Sequence, residues 1–213
     1  RRLTSIVLGL LFLGLSAAPI LSVTASQTIS SNTVWSGSHV VDQAVTVAPG
    51  ATLTIAAGAE IDVTEDVTIT IQGNLVIEGT ENNPSEIYGT FRYPTSDRPV
   101  WQGFHIDSSG SAIIGQSTIT HSRGGFDVSG DLSITSGMSP LVEGAQIGYR
   151  IDGGSLSVPS DSSLHCSDSA IACLSLASTS VNVPLVEAVN SSAIILLNPG
   201  GNLTALELIG DDI

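Results

Sequence analysis

Phe104-His105-Ile106 is the first of five short triplets in which two larger residues flank a variable one. The others start 22, 23, 22 and 22 residues further along, and they are Phe126-Asp-Val128, Tyr149-Arg-Ile151, Ile171-Ala-Cys173 and Ala193-Ile-Ile195. A second column lies seven residues before four of these triplets and consists of Ile119, Val142, Leu164 and Val186. Alternating apolar residues indicate strands, and a repeat of this length indicates stacked units. The sequence therefore predicts an all-β solenoid with coils of about 22 residues.

The region before the first triplet shows the same alternation, punctuated by glycine and proline. Its motifs are Val45-x-Val47-x-x-Gly50-x-x-Leu53-x-Ile55-x-x-Gly58, Leu75-x-Ile77-x-Gly79-Thr80 and Trp101-Gln-Gly103-Phe-x-Ile106. These motifs resemble the opening of secreted right-handed parallel β-helix proteins in the broad pectin-lyase-like group of microbial surfaces. The resemblance covers about Val40 to Leu206 and implies a single-stranded, right-handed parallel β-helix. It implies little about activity, because the group contains lyases, hydrolases, adhesins and passive surface repeats.

The chain divides into a leader and one repeat domain. Residues 1–25 combine Arg1-Arg2, an apolar run and a small-residue exit, which predicts a secretory signal cleaved after Ala25. An uncleaved membrane anchor is the alternative, although Pro19 within the run favours cleavage. We expect an exposed lead-in or N-terminal cap over 26–39 and a parallel β-helix over 40–213, interrupted by a loop at 80–100. A last coil that starts without a cap favours a longer protein with a C-terminal anchor or partner domain.

The charge balance restricts the possible partners. The chain has a net charge of −14, with six basic residues against 20 acidic ones, and it contains no lysine. Such a chain lacks the cationic surface that displaces counterions from nucleic acid, so we exclude nucleic acid as a partner. An anionic polysaccharide would need local cations or a bound metal to approach. We expect a membrane contact only through the signal segment or a C-terminal anchor.

The central residues of the first three triplets form the candidate site. Adjacent coils stack about 4.8 Å apart, so His105, Asp127 and Arg150 should be consecutive rungs of one outward ladder, with Asp107 and Asp152 beside it. The 80–100 loop would border this surface with Arg92, Tyr93 and Arg98. Opposite charges on neighbouring rungs also have a purely structural interpretation, because each such pair stabilises a sheet by about 0.2–1 kcal/mol.

Two functions are compatible with this ladder. The first is an exported structural or binding module at the cell surface, which presents an extended face to a polysaccharide or a protein and needs no cofactor. The second is a polysaccharide lyase or glycosidase whose catalytic candidates are Asp107, Asp127, Asp152 and Arg150. A bound calcium ion is expected only for the lyase alternative, which would need clustered carboxylates as oxygen ligands. The sequence favours the binding module.

Two further features concern an exported protein. Cys166 and Cys173 are the only cysteines, and an oxidising compartment would allow either a disulfide across a bend or two small buried side chains. Asn190-Ser-Ser and Asn202-Leu-Thr match the N-glycosylation sequence, so Asn190 and Asn202 are candidate acceptors. The expected location is secreted or cell-surface.

Overall fold

A computed structural model gives the fold as a parallel β-solenoid of about eight coils. The structure describes residues 26–90 and 100–211, and within these ranges every regular element is a strand. Every strand pair in the two sheets is parallel, and successive coils are about 22 residues apart. The all-β solenoid predicted from the triplets is therefore confirmed. No helix long and apolar enough to cross a membrane occurs among the described residues.

Each coil places strands on three faces. Face 1 is an eight-stranded sheet made of β1 (Ser26–Ile29), β4 (Ala44–Val47), β7 (Thr68–Ile71), β10 (Gly103–Ile106), β13 (Gly124–Val128), β16 (Ile147–Asp152), β19 (Ala172–Ala177) and β21 (Ile195–Leu197). Face 2 contains β2 (Thr33–Trp35), β5 (Thr52–Ile55), β8 (Asn74–Ile77), β11 (Ser111–Ile114), β14 (Asp131–Ile134) and β17 (Ser155–Ser157). Face 3 contains β3 (Ser38–Val41), β6 (Glu60–Val63), β9 (Ser85–Gly89), β12 (Ser117–Thr120), β15 (Leu141–Glu143) and β18 (Leu164–Ser167).

Faces 2 and 3 merge near the C-terminal end. The long strand β20 (Ser180–Val189) pairs with β17 through its first half and with β18 through its second half. A second long strand, β22 (Asn202–Asp211), pairs with β20. The two faces thereby belong to one 14-stranded sheet.

The interior of the solenoid is a largely apolar column, because strand residues alternate between core and solvent. Phe104, Phe126 and Tyr149 are buried on successive rungs of face 1, and their ring centroids are 5.4 and 5.7 Å apart. Trp101 meets Phe104 edge-on at 5.3 Å and donates its indole N–H to the carbonyl of Thr120. Parallel stacking with these offsets adds to the burial of large apolar areas. The aromatic column fixes the three rungs that position the candidate site.

The register slips after Tyr149, so the last two predicted triplets are wrong. Tyr149 aligns with Leu174, and Leu174 aligns with Ile195, so the triplets in register with Tyr149-Arg-Ile151 are Leu174-Ser-Leu176 and Ile195-Leu-Leu197. The second column slips as well, since Val142 aligns with Cys166 and not with Leu164. Two connections are each one residue longer than their counterparts in the preceding coil: the turn between Ile151 and Ser155 and the connection between Ser167 and Ala172.

Two predicted segments contain more strand than the sequence suggested. The lead-in over 26–39 forms β1, β2 and the start of β3, and Trp35 is buried within this first coil. The interruption over 80–100 contains β9, whose Ile87 is buried between Ile61 and Ile119. Ser85, Ile87 and Gly89 are the buried, alternating residues of β9. They follow directly after a polar turn, so the sequence pattern alone did not indicate a strand here. Residues 91–99 lie outside the described part of the chain.

Candidate functional site

The three central residues of the ladder lie where the sequence predicted them. His105 aligns with Asp127 across β10 and β13, and Asp127 aligns with Arg150 across β13 and β16. Their inward neighbours are buried, so the alternation of the strand directs these three side chains outward. The relative exposures of the side chains are 42% for His105, 40% for Asp127 and 47% for Arg150. The ladder is therefore half open to solvent.

Asp127 is the shared centre of two loose charge contacts. The same carboxylate oxygen, Oδ2, lies 3.8 Å from His105 Nδ1 and 3.6 Å from Arg150 Nη1. Both distances exceed a hydrogen bond, and half-exposed pairs of this kind contribute about 0–1 kcal/mol. The next outward rung is Ser175, which is buried and accepts a hydrogen bond from the Asn198 side-chain amide. Charge on this face thus spans three rungs and ends at Ser175.

A cleft of about 310 Å³ lies over this ladder on face 1. Its lining combines the ladder with residues from the turns that lead into the strands. The lining residues are Thr68, Gln102, Gly103, Phe104, His105, Arg123, Gly124, Phe126, Asp127, Gln146, Ile147 and Arg150. A volume near 300 Å³ is at the small end of known ligand sites and suits a sugar-sized unit. The geometry therefore offers a recess on face 1 that is lined by both polar and apolar groups.

Glycines keep the recess open. A Cβ on Gly124 would make only ordinary van der Waals contacts, with the nearest atoms, the Gln102 and Ile147 carbonyl oxygens, 3.9 Å away. Gly103 is constrained differently, because its φ is +100° and a Cβ would lie 1.7 Å from the carbonyl oxygen of Gly124. Gly103 is needed for the close approach of two coils, whereas Gly124 leaves free volume in the cleft.

Three polar residues of the cleft were missed by the sequence analysis. Arg123 Nη1 donates to Gln102 Oε1 at 3.4 Å, and Gln102 Nε2 donates to Asp66 Oδ1 at 3.1 Å. Gln146 also lines the cleft, and its backbone N–H is bonded to the carbonyl of Arg123. These residues precede the alternating part of each strand, and the one repeat among them, Gln146 in register with Asp168 and Asn190, predicts a structural stack and not a binding site. The scarcity of basic residues was the signal that could have singled out Arg123.

Two of the predicted acidic residues do not line the cleft. Asp107 follows β10 and closes a turn, accepting hydrogen bonds from the Ser108 N–H at 2.7 Å and from Gln72 Nε2 at 3.3 Å. Asp152 is exposed at the end of β16, opposite Ala177. The two aspartates are separated by the rung of Ser129 and therefore by about 9.6 Å of sheet. Of the candidate carboxylates, the cleft contains Asp127.

The other predicted site residues are elsewhere. Arg92, Tyr93 and Arg98 lie outside the described residues. Asn190 is exposed, has a left-handed backbone with φ +48°, and its side-chain amide donates to Asp168 Oδ1. Asn202 is exposed at the start of β22. Both asparagines are accessible, and their glycosylation stays a prediction.

The cysteines are bonded in the structure. The Sγ atoms of Cys166 and Cys173 form a disulfide that joins β18 to β19 across the bend from face 3 to face 1. Both residues are buried, and the disulfide packs where Gly148 has no side chain, since a Cβ there would lie 2.5 Å from Cys166 Sγ. The disulfide crosslinks the coil in which the register shifts, and neither cysteine lines the cleft.

Calcium does not fit the residues of the cleft. Six to eight oxygen ligands are typical of Ca²⁺, whereas the carboxylate here is Asp127, which already faces Arg150 and His105. Over residues 26–90 and 100–211, His, Cys, Asp and Glu form no group of three or more that could hold a metal ion. The lyase alternative therefore lacks the carboxylate cluster that it requires in the described part of the chain.

Comparison with protein-family models, curated proteins and solved structures gives no match to this chain.

Proposed function

We propose that this protein is an exported cell-surface module that binds a glycan through the cleft on face 1. The observation that supports this most directly is the convergence of polar side chains from three successive coils, around Asp127 and Arg150, into one sugar-sized recess. Ligand sites combine a preformed recess with a few placed polar groups, and this cleft has both. Its rigidity comes from the aromatic column directly beneath it.

Export is supported by two independent features. The sequence of residues 1–25 has the organisation of a secretory signal. The disulfide between Cys166 and Cys173 is of the kind that persists in oxidising compartments. Membership in the right-handed pectin-lyase-like group and a protein ligand in place of a glycan are further proposals that rest on the sequence resemblance and on the extended face.

A glycosidase is the second candidate function, and one observation favours it. Asp127 and His105 together place a carboxylate and an imidazole, both half exposed, inside the cleft. Most glycosidases, however, use two carboxylates about 5–9.5 Å apart, and Asp107 and Asp152 do not line the cleft. Binding without bond cleavage is therefore the better-supported function.

The test measures retention and product formation together on a panel of acidic and neutral polysaccharides, first with calcium and then with chelator. We expect retention without cleavage products, and we expect the Asp127→Asn variant to retain the polysaccharide more weakly, because an ionised carboxylate accepts hydrogen bonds from sugar hydroxyls more strongly than an amide does. The Gly124→Ala variant fills part of the cleft without a clash, so its retention should fall several-fold with an unchanged unfolding midpoint. Products that disappear in Asp127→Asn would establish the enzyme instead. Unchanged retention in both variants would place binding elsewhere on the protein.

A further inference from the structure

The cleft contains both of the arginines that the structure describes. The chain has six basic residues, all arginine, against 20 acidic ones. Two of the six, Arg123 and Arg150, lie in the described ranges, and both line the cleft. In a protein of net charge −14, the cleft lining therefore carries two guanidinium groups against the one carboxylate of Asp127. An anionic group would find both of the described arginines here.

The two guanidinium groups are not equivalent. Arg150 faces the Asp127 carboxylate, which neutralises it in part. Arg123 forms no ion pair with any carboxylate of the described residues; its contact is the neutral Gln102 amide. Because the other side of that amide is bonded to Asp66, its oxygen faces the exposed Arg123 guanidinium at 3.4 Å. Among the described residues, this cation of the cleft has no carboxylate partner.

The chemistry of an unpaired guanidinium defines the group that it suits. Arginine presents five N–H donors in a planar fork that matches a carboxylate through two parallel hydrogen bonds. One of these donors contacts Gln102, and no ion pair joins the guanidinium to a carboxylate of the described residues. The side-chain amide of Gln146, which lines the same cleft, supplies a further donor. A carboxylate is the ligand group that would use these donors together.

We infer that Arg123 is the specificity-determining residue of the cleft and that the bound glycan presents a sugar carboxylate to it. This inference rests on the proposed glycan-binding function and assigns it a ligand class. The ladder of His105, Asp127 and Arg150 then contacts the remainder of the sugar, while Arg123 with Gln146 holds the carboxylate. Binding is consequently selective for acidic over neutral sugars and weakens as salt rises.

Side-chain NMR of the whole chain tests this directly, because six arginines and no lysine give a simple guanidinium spectrum. The Nε–H signals are followed during titration with glucuronate, with glucose and with acetate. We expect glucuronate to shift the Arg123 signal saturably and glucose to leave it unchanged. The Arg123→Gln variant should bind glucuronate at least about tenfold more weakly, with its unfolding midpoint unaltered.

Several results would overturn the inference. Arg123 does not select the ligand if its Nε–H signal fails to shift during titration with glucuronate. The same conclusion follows if the Arg123→Gln variant binds glucuronate as tightly as the parent protein. Equal affinity for acetate and glucuronate would show that the site binds a carboxylate without the sugar. If neutral polysaccharides were retained in an Asp127-dependent manner while Arg123 stayed unperturbed, glycan binding would stand and this inference alone would fail.

Discussion

The two sides of β10, β13 and β16 are built from alternate residues of the same strands and yet differ in almost every physical property. On the inner side Phe104, Phe126 and Tyr149 are at most 1% exposed and stack ring on ring. On the outer side the ladder residues are 40–47% exposed, and their charge contacts are longer than hydrogen bonds. The inner side therefore carries the stability. The outer side contributes little to stability, which leaves it available for the binding that we propose.

The largest expected difference between the two sides is in the free energy of unfolding. Phe126→Ala should lower it by about 3–5 kcal/mol, because the variant leaves a cavity in the middle of the aromatic column. Asp127→Ala, one residue further along, should cost no more than about 1 kcal/mol. Equilibrium urea denaturation of both variants measures the two values. Similar losses for Phe126→Ala and Asp127→Ala would remove the distinction between an inner and an outer side.

A smaller loss in the free energy of unfolding is expected from removing the disulfide, which lies in the coil where the register of the core shifts. Replacing Cys166 and Cys173 together by alanine should lower the free energy of unfolding by about 2–2.5 kcal/mol, since the disulfide closes a loop with a sequence separation of 7. Thermal denaturation with and without reductant measures this effect. Reductant should destabilise the parent protein and leave the double variant unaffected. A double variant as stable as the oxidised parent would contradict the role given to the disulfide.

Tyr149 differs from the phenylalanines of its column by one hydroxyl. That hydroxyl donates to the carbonyl of Pro140 at 2.9 Å, so Tyr149→Phe should lower the free energy of unfolding by about 1 kcal/mol at neutral pH. Burial raises the pKa of Tyr149 far above its ordinary value. The folded state therefore keeps a proton that the unfolded state loses above about pH 10, and stability falls as pH rises beyond that point.

The pH dependence provides the check on this assignment. Denaturation of the parent protein between pH 8 and pH 11 should show the alkaline loss of stability, and Tyr149→Phe should show a shallower one. An identical alkaline slope in the two proteins would mean that Tyr149 is not the responsible group.

The smallest effect is expected within the ladder itself. A double-mutant cycle of Asp127→Asn and Arg150→Gln should give a coupling energy of about 0.2–1 kcal/mol, because the pair is half exposed and separated by 3.6 Å. The coupling should vanish in about 1 M salt, where charges are screened within roughly 3 Å. A coupling of several kcal/mol that survives high salt would make the ladder a structural element equal to the core.

The same comparison explains how much could be predicted from the sequence. The interior repeats because each coil presents the same space to its neighbour, so Phe104, Phe126 and Tyr149 predicted both the strands and the outward direction of His105, Asp127 and Arg150. After Tyr149, the interval of about 22 residues no longer predicts which residues align on neighbouring coils. The turn after Ile151 and the connection after Ser167 each gain one residue over the preceding coil, and the run from Ile171 to Leu176 permits more than one alternating register.

The cleft was less predictable than the ladder. Arg123 and Gln102 lie in turns, where position depends on the path of the backbone between coils and not on a repeat. Asp107 has the outward periodicity of a site residue, but the turn after β10 uses its carboxylate to bind Ser108 and Gln72. Such local hydrogen bonds have no signature in the spacing of residues along the chain.

The central claim, that the inner side holds the fold while the outer side binds the ligand, is tested most directly by one variant measured in two ways. His105, Asp127 and Arg150 are replaced together by alanine, and the variant's unfolding midpoint is compared with its retention on the polysaccharides that retain the parent protein. We predict a midpoint close to that of the parent protein and a loss of retention. Retention at the parent level would contradict the assignment of binding to the ladder, and loss of the folded state would contradict the assignment of stability to the core.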